Sequence, residues 1–521
     1  MNITKKILTI LSLSFLISST LLPVAQSGGE PWKWRRGSTI PEVEKGPKAL
    51  GEYYLIERDE DEQPVVDKKK PLKPKGRVVE VVAKKEKPFS FDFQGYVRLD
   101  AFTDSRQSVD FWKGIDYAYP KPIALDPNKR DINDKAQFTM VPFGSVKVIV
   151  TGPEVRGAKS SAVIKADIPG KFRSENRLLG VSHNHDPFGM FRYQHGYLNL
   201  EWEKTKVLAG VYYSPLVLLE LCADTVSINA GEFYDPFQYS GMVRVRHRAE
   251  PFEFTFAVHK LFWYRIARDS LAPSLYAQAN ENVGEHLLLA GINMDVFTPR
   301  LETDPKLAEN LVEAAWDETD DTFGSEETKI PTHGYKESES VISFIPFIGA
   351  VLKKNNVIWK HRLTYAENPF LYTLIGGAGY CSRNPLTDER TWVKTRSLNY
   401  WTDLSHVTQN REIGVFIGYN RSLGSRHKLQ NEISTKDTLG YLVERTDTGN
   451  PYLFTEGENI DRSFRIQPRV RFFHGPVTIG FEVEYTRVAY GDTNHCGLVD
   501  VVTDCTKVAN TRVLASVVYS F

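Results

Sequence analysis

From Phe89 to Phe521, apolar side chains recur at every second position in one segment after another. In FSFDFQGYVRLDAFT (89–103), phenylalanine, valine and leucine alternate with serine, aspartate, glutamine and arginine, and TRVLASVVYSF (511–521) repeats the pattern up to the last residue. A period of two predicts a β-strand with one apolar and one polar face. The chain therefore has to place one face of each strand against apolar surroundings and the other against water.

Sixteen such segments are predicted: 89–104, 138–151, 159–169, 190–203, 206–214, 242–249, 252–264, 274–280, 286–298, 339–352, 355–367, 393–406, 411–422, 461–473, 477–490 and 510–521. Short connections, such as Glu250-Pro251, alternate with long polar ones, such as 299–338. An even number of strands joined in this alternating way is typical of a barrel in a bacterial outer membrane.

The membrane interior dictates how these strands must pair. In hydrocarbon every backbone N–H and C=O needs a partner within the protein, so a spanning sheet has to close on itself. We therefore expect the last strand to pair with the first. The predicted fold class is all-β: a sixteen-stranded antiparallel transmembrane β-barrel over 89–521, with short periplasmic turns and long extracellular loops, in contact with outer-membrane lipid.

The segments before the barrel carry different signals. Lys5 and Lys6, the apolar stretch 7–22 and the small residues of 25–27 predict a signal peptide over 1–27. The apolar stretch is short for a membrane-anchoring helix, which is the alternative interpretation. Residues 28–88 are rich in charge and proline, and predict a flexible periplasmic N-terminal segment; the alternative is a segment that binds the cell wall or a partner.

Composition and motifs narrow the functional classes. The chain has 65 basic and 65 acidic residues, which gives no electrostatic basis for binding nucleic acid. No nucleotide-binding, zinc-protease or serine-hydrolase motif occurs, so we predict neither catalysis nor a cofactor. His183, His185 and Asp186 are too few for a metal site and are more typical of a polar loop.

Four cysteines are present, and export to an oxidising compartment permits disulfides. Cys496 and Cys505 lie close together in a polar stretch and are predicted to form a disulfide across one loop. For Cys222 and Cys381 two alternatives stay open: a second disulfide, or two free thiols.

Several segments, in order along 89–521, resemble a known family: GYVRLDAFTDSRQ (95–107), TGPEVRGAKSSAVIKAD (151–167), LNLEWEKTKVLAGVYYSP (198–215), REIGVFIGYNRSLGS (411–425), FRIQPRV (464–470) and FEVEYTRVAYG (481–491). The family is one of porin-like outer-membrane proteins, and a more distant likeness links the chain to the DcaP-like trimeric porins. The resemblance implies a sixteen-stranded channel that assembles as a homotrimer and has no catalytic residues. It also implies that the third outer loop, 215–241, folds inward and narrows the pore.

Charged residues on the polar faces are the candidate pore lining. MVRVRHRA (242–249) places Arg244, Arg246 and Arg248 on one face. One Arg on the lipid side of a barrel costs roughly 2–4 kcal/mol at the midplane, so this row has to face the lumen. The same parity on other strands holds for Arg98, Arg465, Arg469 and Arg471, and the expected inward loop carries Glu220, Asp224, Glu232 and Asp235.

Two interpretations of the arginines follow. In the first, the arginines and the loop acids create a transverse field at a constriction that favours anionic or zwitterionic solutes. In the second, Arg469 and Arg471 neutralise Glu482 and Glu484 on the next strand. The predicted function is a passive porin for small polar solutes; the alternative is a surface structural or adhesin-type barrel with an occluded lumen.

Overall fold

A computed structural model describes these parts of the chain: 53–56, 80–83, 89–110, 117–169, 192–261, 272–299, 335–336, 339–383, 389–427, 454–456, 460–491 and 505–521. In the N-terminal part, Tyr53–Ile56 pairs antiparallel with Glu80–Ala83. Among the described residues no helix is both long and apolar enough to cross a membrane. The signal peptide lies outside these residues, as does most of 28–88, so their assignments stay predictions.

Sixteen antiparallel strands form one closed barrel, as the sequence predicts. They are β1 (Ser90–Asp104), β2 (Gln137–Thr151), β3 (Lys159–Pro169), β4 (Arg192–Glu201), β5 (Thr205–Tyr213), β6 (Tyr239–Ala249), β7 (Phe252–Leu261), β8 (Ser274–Val283), β9 (His286–Phe297), β10 (Val341–Lys354), β11 (Val357–Glu367), β12 (Arg390–Val407), β13 (Arg411–Ser425), β14 (Ile460–His474), β15 (Val477–Tyr490) and β16 (Thr506–Ser520). Two short strands, Gly376–Arg383 and Phe454–Glu456, extend the wall beside β12.

The ring closes between the last strand and the first. In β16, Ser520 is opposite Tyr96 of β1, and Arg512 is opposite Asp104. Phe521 adds two further bonds: its N–H donates to the carbonyl of Gly95 (2.9 Å), and its carbonyl accepts from the N–H of Gly95 (2.8 Å). The predicted closure is confirmed, and it reaches the last residue of the sequence.

Short and long connections lie at opposite ends of the barrel. The short ones are 152–158, 202–204, 250–251, 284–285, 355–356, 408–410 and 475–476; the long ones are 105–136, 170–191, 214–238, 262–273, 298–340, 368–389, 426–459 and 491–505. This is the predicted alternation of short periplasmic turns with long extracellular loops.

The two faces of the wall differ as a membrane barrel requires. On β15, Phe481 and Val483 are 48% and 43% exposed on the outer surface, whereas Glu482 and Glu484 between them are buried on the inner side. On β16, Val513 and Val517 are exposed on the outer surface, and Tyr519 and Phe521 continue the same row. The outer surface is thus largely apolar and the inner surface largely polar.

Pro468 lies inside a strand without interrupting it. Proline has no backbone N–H to donate to a ladder, so within a sheet it is expected at an edge or at a bulge. In the structure Pro468 pairs with Val415 of β13, and the register of β14 on β15 is the same before and after it. No bulge is therefore needed to accommodate it.

Candidate functional site

The connection 214–238 between β5 and β6, called here the inward loop, enters the barrel and lies against the opposite wall. Leu216, Leu221, Phe233 and Tyr234 of this loop are at most 1% exposed. They belong to one buried cluster with inward residues of the far wall, which include Ile345, Phe347, Trp401 and Phe416. The third outer loop therefore folds inward, as the family resemblance implies.

Glycines in the far wall provide the space for this packing. A Cβ on Gly418 of β13 would lie 2.5 Å from Cγ of Tyr234, and a Cβ on Gly349 of β10 would lie 2.4 Å from Cδ2 of Leu221. Contacts of this length are impossible for real atoms, so any larger residue would displace the loop. The loop side chains rest directly on the strand backbone at both places.

Arg469 of β14 helps to hold the inward loop in place through a residue of the wall. Its guanidinium contacts Asp403 of β12 (Nη1 to Oδ1, 2.7 Å) and Glu412 of β13 (Nε to Oε1, 2.8 Å), and its side chain is fully buried. Asp403 in turn accepts a hydrogen bond from the backbone N–H of Asp224 in the inward loop (2.8 Å). A buried ion pair of the wall thereby fixes the backbone of the loop.

Glu482 and Glu484 hold the loop as well, and this corrects the second interpretation of the arginines. Glu482 is opposite Arg469 in the backbone register, yet its carboxylate accepts from the N–H groups of Val226 (2.7 Å) and Ser227 (3.3 Å). Glu484 accepts from the side-chain amides of Asn229 in the inward loop (3.2 Å) and Gln467 of β14 (2.8 Å). Arg469 turns instead toward Asp403 of β12 and Glu412 of β13.

Arg465, Glu232 and Asp235 are also buried, so the structure differs from the predicted open constriction at these positions and at Arg469. Arg465 donates to the carbonyl of Ala118, which belongs to the first long connection. Asp235 forms an ion pair with Arg362 of β11 (2.8 Å), and Glu232 is 5% exposed. All four face the inside of the barrel as predicted, but the loops cover them.

Arg98 and Arg471 lie nearer the periplasmic end and line a cavity of about 260 Å³. Arg98 pairs with Asp100 (2.7 Å) and donates to the carbonyl of Val226 (2.5 Å). Arg471 pairs with Glu412 (3.0 Å) and also donates to a loop carbonyl. Both are partly exposed, so they combine a lumenal position with an anchoring contact.

The row on β6 lies across the lumen from these anchors and is accessible. Arg246 is 31% exposed and lies 3.6 Å from Glu220 of the inward loop and 3.4 Å from Glu253 of β7. The guanidinium carbon of Arg244 lies 5.3 Å from the ring centre of Tyr212, and Arg248 is exposed further toward the periplasmic end. Arg244, Arg246 and Glu220 line a cavity of about 220 Å³ between loop and wall.

Of the four predicted loop acids, only Glu220 lies opposite this row. Asp224 is turned to the other side, where it pairs with Lys360 of β11 (2.7 Å). Glu220 is 55% exposed, in contrast to Glu232 and Asp235. The narrow gap between Glu220 and the row of Arg244 and Arg246 is therefore the candidate selectivity site.

Sequence reasoning missed several residues of this site. Lys206 of β5 and Tyr276 of β8 line the same cavity as Arg244, and Lys360 and Arg362 of β11 anchor the inward loop. In VIWKHRLTYAE (357–367), lysine and arginine alternate with tryptophan, histidine and leucine. The parity argument used for β6 would have identified them on β11.

Two ionisable side chains of the inward loop stay neutral at physiological pH. Burial raises the pKa of the Cys222 thiol to about 12. Burial likewise raises the pKa of Tyr234 to about 12, against the opposing effect of Arg465. Of the two alternatives for Cys222 and Cys381, the structure has both as free thiols.

The metal and disulfide predictions both concern residues that lie, in whole or in part, outside the described parts of the chain. Among the described residues, no group of three or more His, Cys, Asp or Glu side chains could hold a metal ion. His183, His185 and Asp186 lie outside the described residues. Cys496 also lies outside them, so its disulfide with Cys505 stays a prediction.

Comparison with known structures identifies proteins with a similar architecture. The outer-membrane channel DcaP of Acinetobacter baumannii superposes with a TM-score of 0.53 at 12% identity, over 83% of this chain and 97% of the other. The chain shares the fold of outer-membrane porins. An anion-selective porin from Comamonas acidovorans (TM-score 0.46, 8% identity, 83% and 100% covered) and OmpT of Vibrio cholerae (0.41, 11%, 84% and 100%) are further similar structures.

Comparison of sequences adds nothing to this fold assignment. No protein-family model matches the chain, and no curated protein matches it. A porin fold with an apolar outer surface indicates location in the bacterial outer membrane.

Proposed function

We propose that the chain is a passive, non-enzymatic outer-membrane channel for small anionic or zwitterionic solutes, and that selection occurs at the gap between Glu220 and the β6 arginines. The observation that carries this proposal is the difference between the two walls. Arg465 and Arg469 are buried under the loops, whereas Arg246 is accessible and faces a single loop carboxylate.

The charge balance at the gap supports an anion preference. Arg244, Arg246 and Lys206 line the cavity with Glu220 as its acidic member. Glu253 lies beside Arg246, and Lys206 forms an ion pair with Glu201 (2.7 Å), so the excess positive charge is that of Arg244. Among the described residues no carboxylate lies within ion-pair distance of Arg244. Low-dielectric walls focus the field of such a group and raise the local concentration of solutes of opposite charge.

Planar-bilayer recordings in a salt gradient test this proposal. We expect the reversal potential of the wild-type channel to show preference for anions. The double variant Arg244→Gln/Arg246→Gln should lower the anion-to-cation permeability ratio by about three- to tenfold, because it removes the positive side of the field. Reversal potentials that show cation preference and do not change in this variant would contradict the proposal.

The matched control is Arg411→Gln/Lys354→Gln, which removes the same number of charges from exposed positions beside periplasmic turns. Its permeability ratio should equal that of the wild type. A complete absence of single-channel current would favour the alternative function, a surface structural or adhesin-type barrel. The buried packing of the inward loop across the lumen is the feature that would then account for the occlusion.

Assembly and processing are part of the same proposal. The homotrimer, the cleavage after Ser27, the periplasmic segment 28–88 and the 496–505 disulfide follow from the sequence and the family resemblance. Intact mass of the exported protein, measured with and without reduction, would test cleavage and disulfide together.

A further inference from the structure

Four cations project from the outer surface of four consecutive strands, near the extracellular end of the barrel. These outer-rim cations are Arg421 (β13), Arg462 (β14), Arg487 (β15) and Lys507 (β16). Their immediate neighbours on the inner side are buried: Asn420, Ser463, Thr486 and Val508 are at most 6% exposed. Strand alternation therefore directs the cations outward, on the side where lipid surrounds the barrel.

The strand register brings these charges together. Arg421 is directly opposite Arg462. Ala489 of β15 is opposite both Arg462 and Lys507, so Arg487, two residues before it on the same face, is diagonal to both. Directly opposed side chains have Cβ atoms about 4.5–5.5 Å apart, and like charges at that separation destabilise a sheet.

The described acids do not compensate this charge. Arg462 has one partner, the largely buried Asp461, at 3.6 Å between Nε and Oδ2. Among the residues that the structure describes, Arg421, Arg487 and Lys507 form no ion pair within 4.0 Å. The cluster thus retains about three positive charges on the outer surface, where an external anion would remove the repulsion.

On the same strands, an apolar surface begins two residues closer to the membrane centre. Phe464 and Tyr485 are 38% and 37% exposed there, and Val483 and Val513 continue the surface at 43% and 52%. A ligand that fits both parts carries negative charge at one end and hydrocarbon at the other. In an outer membrane, the phosphorylated glycolipid of the outer leaflet has this chemistry at this depth.

We propose that the outer-rim cations bind the phosphate groups of an outer-leaflet glycolipid, while its acyl chains cover the apolar surface below. Arginine forms charge-assisted, bidentate hydrogen bonds with phosphate, so the opposed pair Arg421 and Arg462 suits one phosphate group. The inference rests on location in the outer membrane and does not depend on the proposed channel activity.

The test is a binding measurement on the full chain folded in detergent. Diphosphorylated lipid A is titrated against wild type and against Arg421→Gln/Arg487→Gln, which removes two cations that have no ion pair. We expect the dissociation constant to rise about tenfold or more, since charge-assisted bonds are lost. The variant Arg411→Gln/Lys354→Gln, with the same loss of charge at the periplasmic end, should bind like the wild type.

Three results would overturn the inference. Equal affinity for lipid A and for its dephosphorylated form would show that phosphate is not recognised. Displacement of the lipid by millimolar inorganic phosphate would indicate a site for free anions. Equal weakening in both double variants would show attraction to net charge alone. Conductance in bilayers without glycolipid should be the same for wild type and Arg421→Gln/Arg487→Gln, so failure here is distinguishable from failure of the proposed function.

Discussion

At the scale of single residues, the arginines that face the inside of the barrel fall into two groups, which differ in burial. Arg469 and Arg465 are fully enclosed by acids, loop carbonyls and neighbouring strands. Arg246 and Arg98 keep part of their surface in the lumen. A buried arginine with a complete set of partners stabilises the fold as part of an ion pair. Removal of one member of such a pair leaves the other charge buried and unpaired.

Arg469→Gln is expected to lower the free energy of unfolding by about 3–5 kcal/mol, because Asp403 would be left as a buried, uncompensated charge and Glu412 would keep only Arg471 as a partner. Urea titration of the barrel folded into lipid vesicles measures this change. Arg411→Gln, at an exposed arginine on the neighbouring strand, should change stability by about 0.5 kcal/mol or less. Equal stability of Arg469→Gln and wild type would show that the ion pair does not anchor the loop.

At the scale of elements, the inward loop and the far wall form one packed unit. Tyr234 rests on Gly418, and its hydroxyl oxygen accepts a hydrogen bond from the hydroxyl of Ser463 of β14 (2.9 Å). Phe233 contacts Tyr119 from the first long connection, with ring centres 4.4 Å apart. Two connections therefore pack on each other inside the barrel.

Gly418→Ala should displace Tyr234 and cost about 1–3 kcal/mol, because the added methyl group has no space. Displacement of Tyr234 should also change the single-channel conductance, because the part of the inward loop that carries Glu220 would shift. Gly144→Ala on β2 is the control: its Cβ would meet its nearest atom, the carbonyl oxygen of Tyr96, at 3.7 Å, an ordinary contact. Unchanged stability and conductance in Gly418→Ala would mean that the loop is not held there.

At the scale of the whole molecule, the sequence determines the barrel better than it determines the lumen. All sixteen strands were predicted, with each end within four residues of its observed position. A period of two shows only that apolar and polar side chains alternate along a segment. The wall of a barrel is made of such segments, so this local pattern is enough to predict it. Which inner arginines stay accessible depends on contacts between Arg465 and Ala118 or between Asp224 and Asp403, far apart in the chain. Parity on one strand contains no information about such contacts.

A charge on the outer surface should cost more at mid-height of the wall than at its edge. Val513→Arg is expected to lower stability by about 2–4 kcal/mol, because Val513 faces outward near the middle of β16. Tyr519→Arg, on the same face near the periplasmic end, should cost only about 0–1 kcal/mol. Reversible unfolding from lipid vesicles would measure both. Equal costs would contradict the assignment of this face to the bilayer.

The seam between β1 and β16 fixes the order of events during biogenesis. These partners are separated by almost the whole length of the barrel sequence. The backbone N–H and C=O groups at the free edge of β1 therefore stay unpaired until β16 has been made and exported. Such a chain cannot mature piecemeal as it emerges. We therefore expect the open polypeptide to need protection from aggregation until it inserts as a unit.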